Sequence, residues 1–200
     1  SSSSAASDVY KRQTVTRTNT VISTTQSRWP SGSSAYFSNS GTDALAVTNT
    51  FNLSECDWTI EFFFYVINFT SATDNPRLFS IEKSGQSNGI IIDYSVTPKL
   101  VYNQYGTGNS IDPGSSGYFS LTTWYHLAIT KDYQTHRMFL NGTQISVKAG
   151  GYTPTGNVVI TIGGSRLNYN YAKLNGYIDD FRVITGCLLY TSDAADEEDS

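Results

Sequence analysis

The stretch DWTIEFFFYV, residues 57–66, decides the fold. Successive side chains of an extended chain point to opposite faces, so Trp58, Ile60, Phe62, Phe64 and Val66 share one side. Thr59, Glu61, Phe63 and Tyr65 share the other. One face is wholly apolar and the other mixed, as expected of a strand in the middle of a β-sandwich.

Working outward, ten more short runs rich in β-branched and aromatic residues lie between turn signals. Upstream are AYFS (35–38) and DALAV (43–47); downstream are RLFSIE (77–82), GIIIDY (89–94) and KLVYN (99–103). TWYHLAIT (123–130), HRMFLNG (136–142), TQISVK (143–148), NVVITIG (157–163) and GYIDDFRVI (176–184) complete the set. No segment carries the 3.6-residue period of a helix. Asn141-Gly142 between two runs predicts a tight hairpin, because a type I′ turn needs positive φ at both central residues. Many short strands at this spacing favour an all-β, two-sheet antiparallel sandwich of the jelly-roll kind over a parallel α/β sheet.

The two ends read differently. Ser3–Gln13 (SSAASDVYKRQ) and Cys187–Glu197 (CLLYTSDAADE) are encoded by opposite strands of one DNA string, read one base out of step. That string resembles a transposase adapter of sequencing libraries, so residues 1–13 and 187–200 are expected to be translated adapter rather than native protein. Residues 14–30 then read as a linker or an entering strand with Trp29-Pro30 as its first anchor. Residues 31–186 read as the sandwich, truncated at its C-terminal side.

Composition follows. The whole chain has 13 Lys+Arg and 17 Asp+Glu, a formal net charge of −4. The ends hold Lys11, Arg12, Asp8, Asp193, Asp196, Glu197, Glu198 and Asp199, so the remainder is neutral and implies no nucleic-acid partner. No run of 18 apolar residues suggests membrane insertion. Setting Cys187 aside leaves Cys56 as a lone thiol, flanked by Glu55 and Asp57, which disfavour a thiolate nucleophile.

Several of these runs, in order, resemble laminin G-like members of the concanavalin A-like lectin/glucanase superfamily. They are GSSAYFSNSGTDALAV (32–47), DWTIEFFFYV, TWYHLAIT, RMFLNGTQI (137–145), VVITIGG (158–164) and LNGYIDDFRVITG (174–186). The resemblance implies a module of a larger extracellular, cell-surface or virion protein, such as a bacterial surface protein or a phage tail or receptor-binding protein. Members of this type often bind sugars without catalysis, and a glycan or surface polysaccharide is the expected partner beside the parent's other domains. A purely structural or assembly role is the alternative, and a glycoside hydrolase the remote one. Retaining glucanases of this fold carry an E-x-D-x-E strand, whose alternation sets two carboxylates about 5 Å apart. No such string occurs here, and no catalytic residue is assigned.

Sugar binding calls for aromatic rings beside amides, the ring taking the apolar sugar face and the amide its hydroxyls. RLNYNYAKLNG offers Asn168, Tyr169, Asn170 and Tyr171, and LVYNQYGTGN offers Tyr102 and Tyr105; covering a sandwich edge is the alternative role for these tyrosines. His126 is expected to be a hydrogen-bonded structural residue, and His136 to lie on the surface of a turn. Calcium is the one cofactor left open. Its candidate ligands, Asp43, Asp74, Asp179 and Asp180, form no calcium-loop string, and turn capping explains Asp43 and Asp74 more cheaply. Asp180 is expected to pair with Arg182 on the same face of its strand. No metal ligand is assigned.

Overall fold

The computed structural model describes residues 15–39, 43–48, 52–69, 76–83, 85–93, 97–104, 110–165 and 174–186. The expected adapter segments, residues 1–13 and 187–200, therefore lie outside the described residues.

Each of the eleven predicted runs forms a strand, and two more precede them. The strands are β1 (Val15–Thr18), β2 (Val21–Ser23), β3 (Ser34–Ser38), β4 (Ala44–Thr48), β5 (Trp58–Val66), β6 (Arg77–Lys83) and β7 (Gln86–Asp93). They continue as β8 (Lys99–Asn103), β9 (Tyr125–Asp132), β10 (Thr135–Leu140), β11 (Thr143–Lys148), β12 (Val159–Ile162) and β13 (Asn175–Thr185). The one helical piece among the described residues is a 3-10 turn at Gly114–Gly117. A six-stranded sheet runs β1-β4-β12-β6-β7-β8 and a seven-stranded sheet runs β11-β10-β9-β5-β13-β3-β2, all pairings antiparallel. Among the described residues no helix is long and apolar enough to cross a membrane.

Between residues 15 and 30 lie two short strands, β1 and β2. Asn19, at φ 52°, turns the chain so that β1 edges the six-stranded sheet and β2 the seven-stranded one. Asn tolerates that left-handed conformation better than most residues, which suits it to the corner.

β5 lies near the middle of the seven-stranded sheet, between β9 and β13. Its apolar face behaves as the alternation predicts: Trp58, Ile60, Phe62, Phe64 and Val66 are all at most 1% exposed. Phe62 meets Phe79 of the opposite sheet edge-on, with ring centroids 5.7 Å apart, and stacks on Phe181 of β13 at 5.2 Å. Each such ring is worth about 2–3 kcal/mol by burial alone. The β10–β11 hairpin turns at Asn141 (φ 49°) and Gly142 (φ 80°), and the His126 N–H donates to Asn141 Oδ1 at 2.9 Å.

Two sequence expectations fail in the core. Tyr102 is wholly buried, because β8 faces it inward toward His136, the ring centroids 5.7 Å apart. His136 is not a surface residue either: β10 turns it inward beside Trp58, and it too is 0% exposed.

A candidate ligand-binding face on the seven-stranded sheet

The mixed side of β5 forms the outer face of the seven-stranded sheet, and register decides what surrounds it. Tyr65 lies opposite Tyr177 of β13, which lies opposite Tyr36 of β3, giving a ladder of three tyrosines across three strands. Their rings touch, Tyr36 to Tyr177 at 4.9 Å and Tyr65 to Tyr177 at 5.8 Å, and Trp124 extends the row from Tyr65 at 5.5 Å. Burial, ahead of any neighbouring group, raises the Tyr177 phenol pKa.

The next row is set by a β-bulge. Asp179 pairs with Phe63 and Arg182 with Glu61, so β13 uses one residue more than β5 over this interval. Asp180 absorbs the extra residue at φ 52°. The bulge resets the alternation, sending Phe181 inward onto Phe62 and Phe79 and Arg182 outward. Asp180 and Arg182 consequently do not pair with each other. Arg182 Nε approaches Glu61 Oε1 at 3.5 Å, and Asp180 Oδ2 accepts a hydrogen bond from Trp29 Nε1 at 3.3 Å.

That bond brings in the segment between β2 and β3. Ser27 and Gly32 close a tight turn on Trp29: Ser27 Oγ donates to the Trp29 carbonyl at 2.9 Å, and Gly32 N donates to it at 3.1 Å. A Cβ on Gly32 would lie 2.5 Å from Ser27 Oγ, so any larger residue would displace the Ser27 hydroxyl from this turn. The turn stands Trp29 edge-on over Phe63, centroids 6.0 Å apart, while its indole stays 48% exposed. The Arg28 guanidinium lies 5.0 Å from the Trp29 ring and 5.2 Å from Phe63, within cation–π range. Phe63 also meets the His126 ring at 4.9 Å.

Glu61 sits beneath this group, 6% exposed, its carboxylate shared between His126 Nε2 at 3.3 Å and Arg182 Nε at 3.5 Å. The Arg182 side chain is 56% exposed, so solvent screens that pair and its worth is orientation more than stability. Beside the bulge, β3 and β13 separate after the Ile178–Ala35 pairing, leaving a cavity of about 220 Å³ with Ile22, Leu45, Ile162 and Phe181 in its lining. The face thus sets the half-exposed Trp29 next to a carboxylate, an imidazole and two guanidinium groups.

Of the residues singled out from sequence, Asn168, Tyr169, Asn170, Tyr171 and Tyr105 lie outside the described residues. The ends of the segment carrying the first four are pinned together: Leu174 N donates to the Gly163 carbonyl at 3.3 Å, and Ser165 Oγ donates to the buried Glu82 carboxylate. Tyr102 is excluded from ligand contact by burial. Asp43 caps a turn, accepting from Ser38 N at 2.8 Å and Ser38 Oγ at 2.5 Å. Asp74 lies outside the described residues, and among those described no group of three or more His, Cys, Asp or Glu could hold a metal ion. Trp29, Arg28 and Phe63 were not among the sequence candidates; the signal that marks them is the pair of aromatics on the mixed face of β5 together with an isolated Trp-Pro upstream.

A laminin G family model, described as the concanavalin A-like lectin/glucanases superfamily, matches residues 39–191 and so runs past Gly186. No curated protein matches the chain. Among solved structures it is similar to domain 4 of AbnA, an extracellular GH43 arabinanase from Geobacillus stearothermophilus, in complex with arabinotriose. Identity is 15% and the TM-score 0.59, over 87% of this chain and 82% of that one. It is also similar to the enzymatically active domain of tailspike protein 2 of bacteriophage CBA120, at 16% identity and a TM-score of 0.63, over 88% of this chain and 29% of that one. Domains LG4-5 of the mouse laminin alpha1 chain match at 20% identity and a TM-score of 0.56, over 75% of this chain and 40% of that one. At these identities the likeness is one of fold.

Proposed function

This chain belongs to the concanavalin A-like lectin/glucanases superfamily, and from that premise we propose that it is a non-catalytic module that binds carbohydrate on the outer face of its seven-stranded sheet. The observation that carries the reading is Trp29, half exposed where it stands edge-on over Phe63, with Arg28, Glu61, His126 and Arg182 grouped about the pair. An indole ring stacks on the apolar face of a sugar, and charged groups alongside take its hydroxyls in stronger hydrogen bonds than neutral ones.

The fold neighbour solved with arabinotriose supports a sugar as the ligand class. Asn168, Tyr169, Asn170 and Tyr171 are proposed to extend the site, because their segment leads directly into β13, the strand that carries Tyr177 and Asp179. Tyr105 remains a proposed contact at a second edge. The parent is proposed to be a larger extracellular, cell-surface or virion protein, with this module as its adhesive part.

A glycan array tests the reading. The wild-type chain is expected to bind a restricted set of glycans, with binding lost in Trp29→Ala and weakened in Tyr169→Ala and Tyr171→Ala. Failure to bind any glycan would leave the structural alternative standing. Turnover of aryl glycosides by the wild type would overturn the non-catalytic part.

A further inference from the structure

The loop between β11 and β12, residues 149–158, lies across the edge of the core and is tied down from many directions. Gly151 N donates to the Gln134 carbonyl at 3.0 Å, Gly156 N to Asn52 Oδ1 at 2.8 Å, and Lys83 Nζ to the Thr155 carbonyl at 2.6 Å. Asn88 Nδ2 donates to the Tyr152 carbonyl, and Tyr152 N donates to Gln104 Oε1 at 3.2 Å. At the centre is His136, whose Nε2 lies 3.2 Å from the Thr153 hydroxyl.

That imidazole is wholly buried, and its ring packs against Gly151 of the strap. Because Gln104 Oε1 accepts from Tyr152, its Nε2 is the group left facing inward, and an amide nitrogen only donates. Gln104 Nε2 and His136 Nδ1 lie 2.9 and 2.0 Å from the place a Cβ would take on Gly151, hence within 4.9 Å of each other. Neither atom has a hydrogen-bond partner among the described residues. The ring is wholly buried against the strap, which favours the neutral imidazole. A second proton would place a charge where it cannot reach water, offset only in part by the Gln134 carbonyl.

The surroundings reinforce this. Lys131 of β9 and Lys148 of β11 stand opposite His136 in register, and Lys131, 4% exposed, acts on it as a buried positive charge. From β8 the Tyr102 phenol faces it, raised in pKa by burial and therefore neutral, its hydroxyl beside the Asn88 and Gln104 amides without a well-formed bond. Trp58 of β5 adds an apolar edge.

We propose that His136 is an acid-sensitive latch: protonation expels the imidazole from its place against Thr153 and Gly151 and releases the 149–158 strap while the β5 core stays folded. Burial, then Lys131, lowers the His136 pKa to about 4, against about 6.5 once the strap is open. The open state therefore binds more protons below pH 6.5. The latch is fully effective above that pH and is lost progressively as pH falls toward 4. With those two values, opening becomes about thirtyfold more frequent at pH 5 than at pH 7.5.

The chain has only two histidines, so the test is clean. Imidazole resonances of the intact chain are followed by NMR from pH 8 to 4, with His126→Asn to assign them, alongside amide-exchange protection factors corrected for intrinsic rates. The expected result is a neutral imidazole for His136 with no titration above pH 5, and protection at Tyr152 and Gly156 falling at least tenfold between pH 7.5 and pH 5. Ile60 and Phe62 should keep theirs. Titration of both histidines near pH 6.5, or strap protection independent of pH, would overturn the proposal. So would loss of protection in strap and core together. The readout needs no glycan, so it stands or falls apart from the sugar-binding reading.

Discussion

Gly163 gives the sharpest test of the packing. It follows β12 at φ 77°, and a Cβ there would lie 2.1 Å from Cε1 of Phe37 and 2.2 Å from Cδ1. Phe37 is 0% exposed, so its ring has nowhere to go without displacing other core side chains. Gly163→Ala therefore incurs two penalties. The left-handed backbone costs an L-residue about 1–2 kcal/mol. Forcing a methyl group into a filled core costs about 1–3 kcal/mol more. A total near 3 kcal/mol is a large share of the roughly 5–15 kcal/mol that stabilises a domain. It corresponds to a fall in Tm of roughly 6–12 °C at this size.

Gly142→Ala is the control, since Gly142 has φ 80° but nothing within 4 Å of its would-be Cβ, and it should show the backbone penalty alone. Urea unfolding followed by tryptophan fluorescence measures both. Phe37→Leu combined with Gly163→Ala should be less destabilised than the two singles added together, since the smaller side chain relieves the clash. Equal losses for Gly163→Ala and Gly142→Ala would refute the argument.

Other predictions concern single side chains. Asn141→Ala removes both a left-handed-tolerant residue and the acceptor of the His126 N–H, and should cost about 1–2 kcal/mol in the same unfolding assay. Tyr102→Phe removes a buried hydroxyl that lacks a well-formed bond, so stability should change by less than about 1 kcal/mol, and glycan binding should be untouched. Phe62→Ala should cost about 3–5 kcal/mol, with a lower thermal midpoint by calorimetry, because its ring contacts both Phe79 and Phe181.

How much of this was legible in the sequence depended on range. DWTIEFFFYV announced its own two faces because strand alternation is local, and Asn141-Gly142 announced its hairpin because turn geometry is local. The tyrosine ladder was not legible: Tyr36, Tyr65 and Tyr177 meet only through the register of three strands far apart in the chain. The bulge at Asp180 was hidden for a related reason. Plain alternation puts Asp180 beside Arg182, and one extra residue redirects both while turning Phe181 onto the core. Tyr102 and His136 misled because polar groups suggest exposure, whereas here a distant loop closes over them, its Thr153 hydroxyl meeting His136 and its Tyr152 N–H donating to Gln104. Trp29, in a Thr/Ser-rich stretch, gained its meaning only when that stretch folded over Phe63.

The central claim is that sugar binds on the outer face of the seven-stranded sheet, and the three tryptophans report on it directly. Their indole N–H signals can be followed by NMR during titration with a glycan selected on the array. The Trp29 signal should shift in a saturable manner, while that of Trp58, buried and bonded to the Leu53 carbonyl at 3.1 Å, stays in place. Saturable binding that leaves the Trp29 signal unmoved, and that survives Trp29→Ala, would contradict the account.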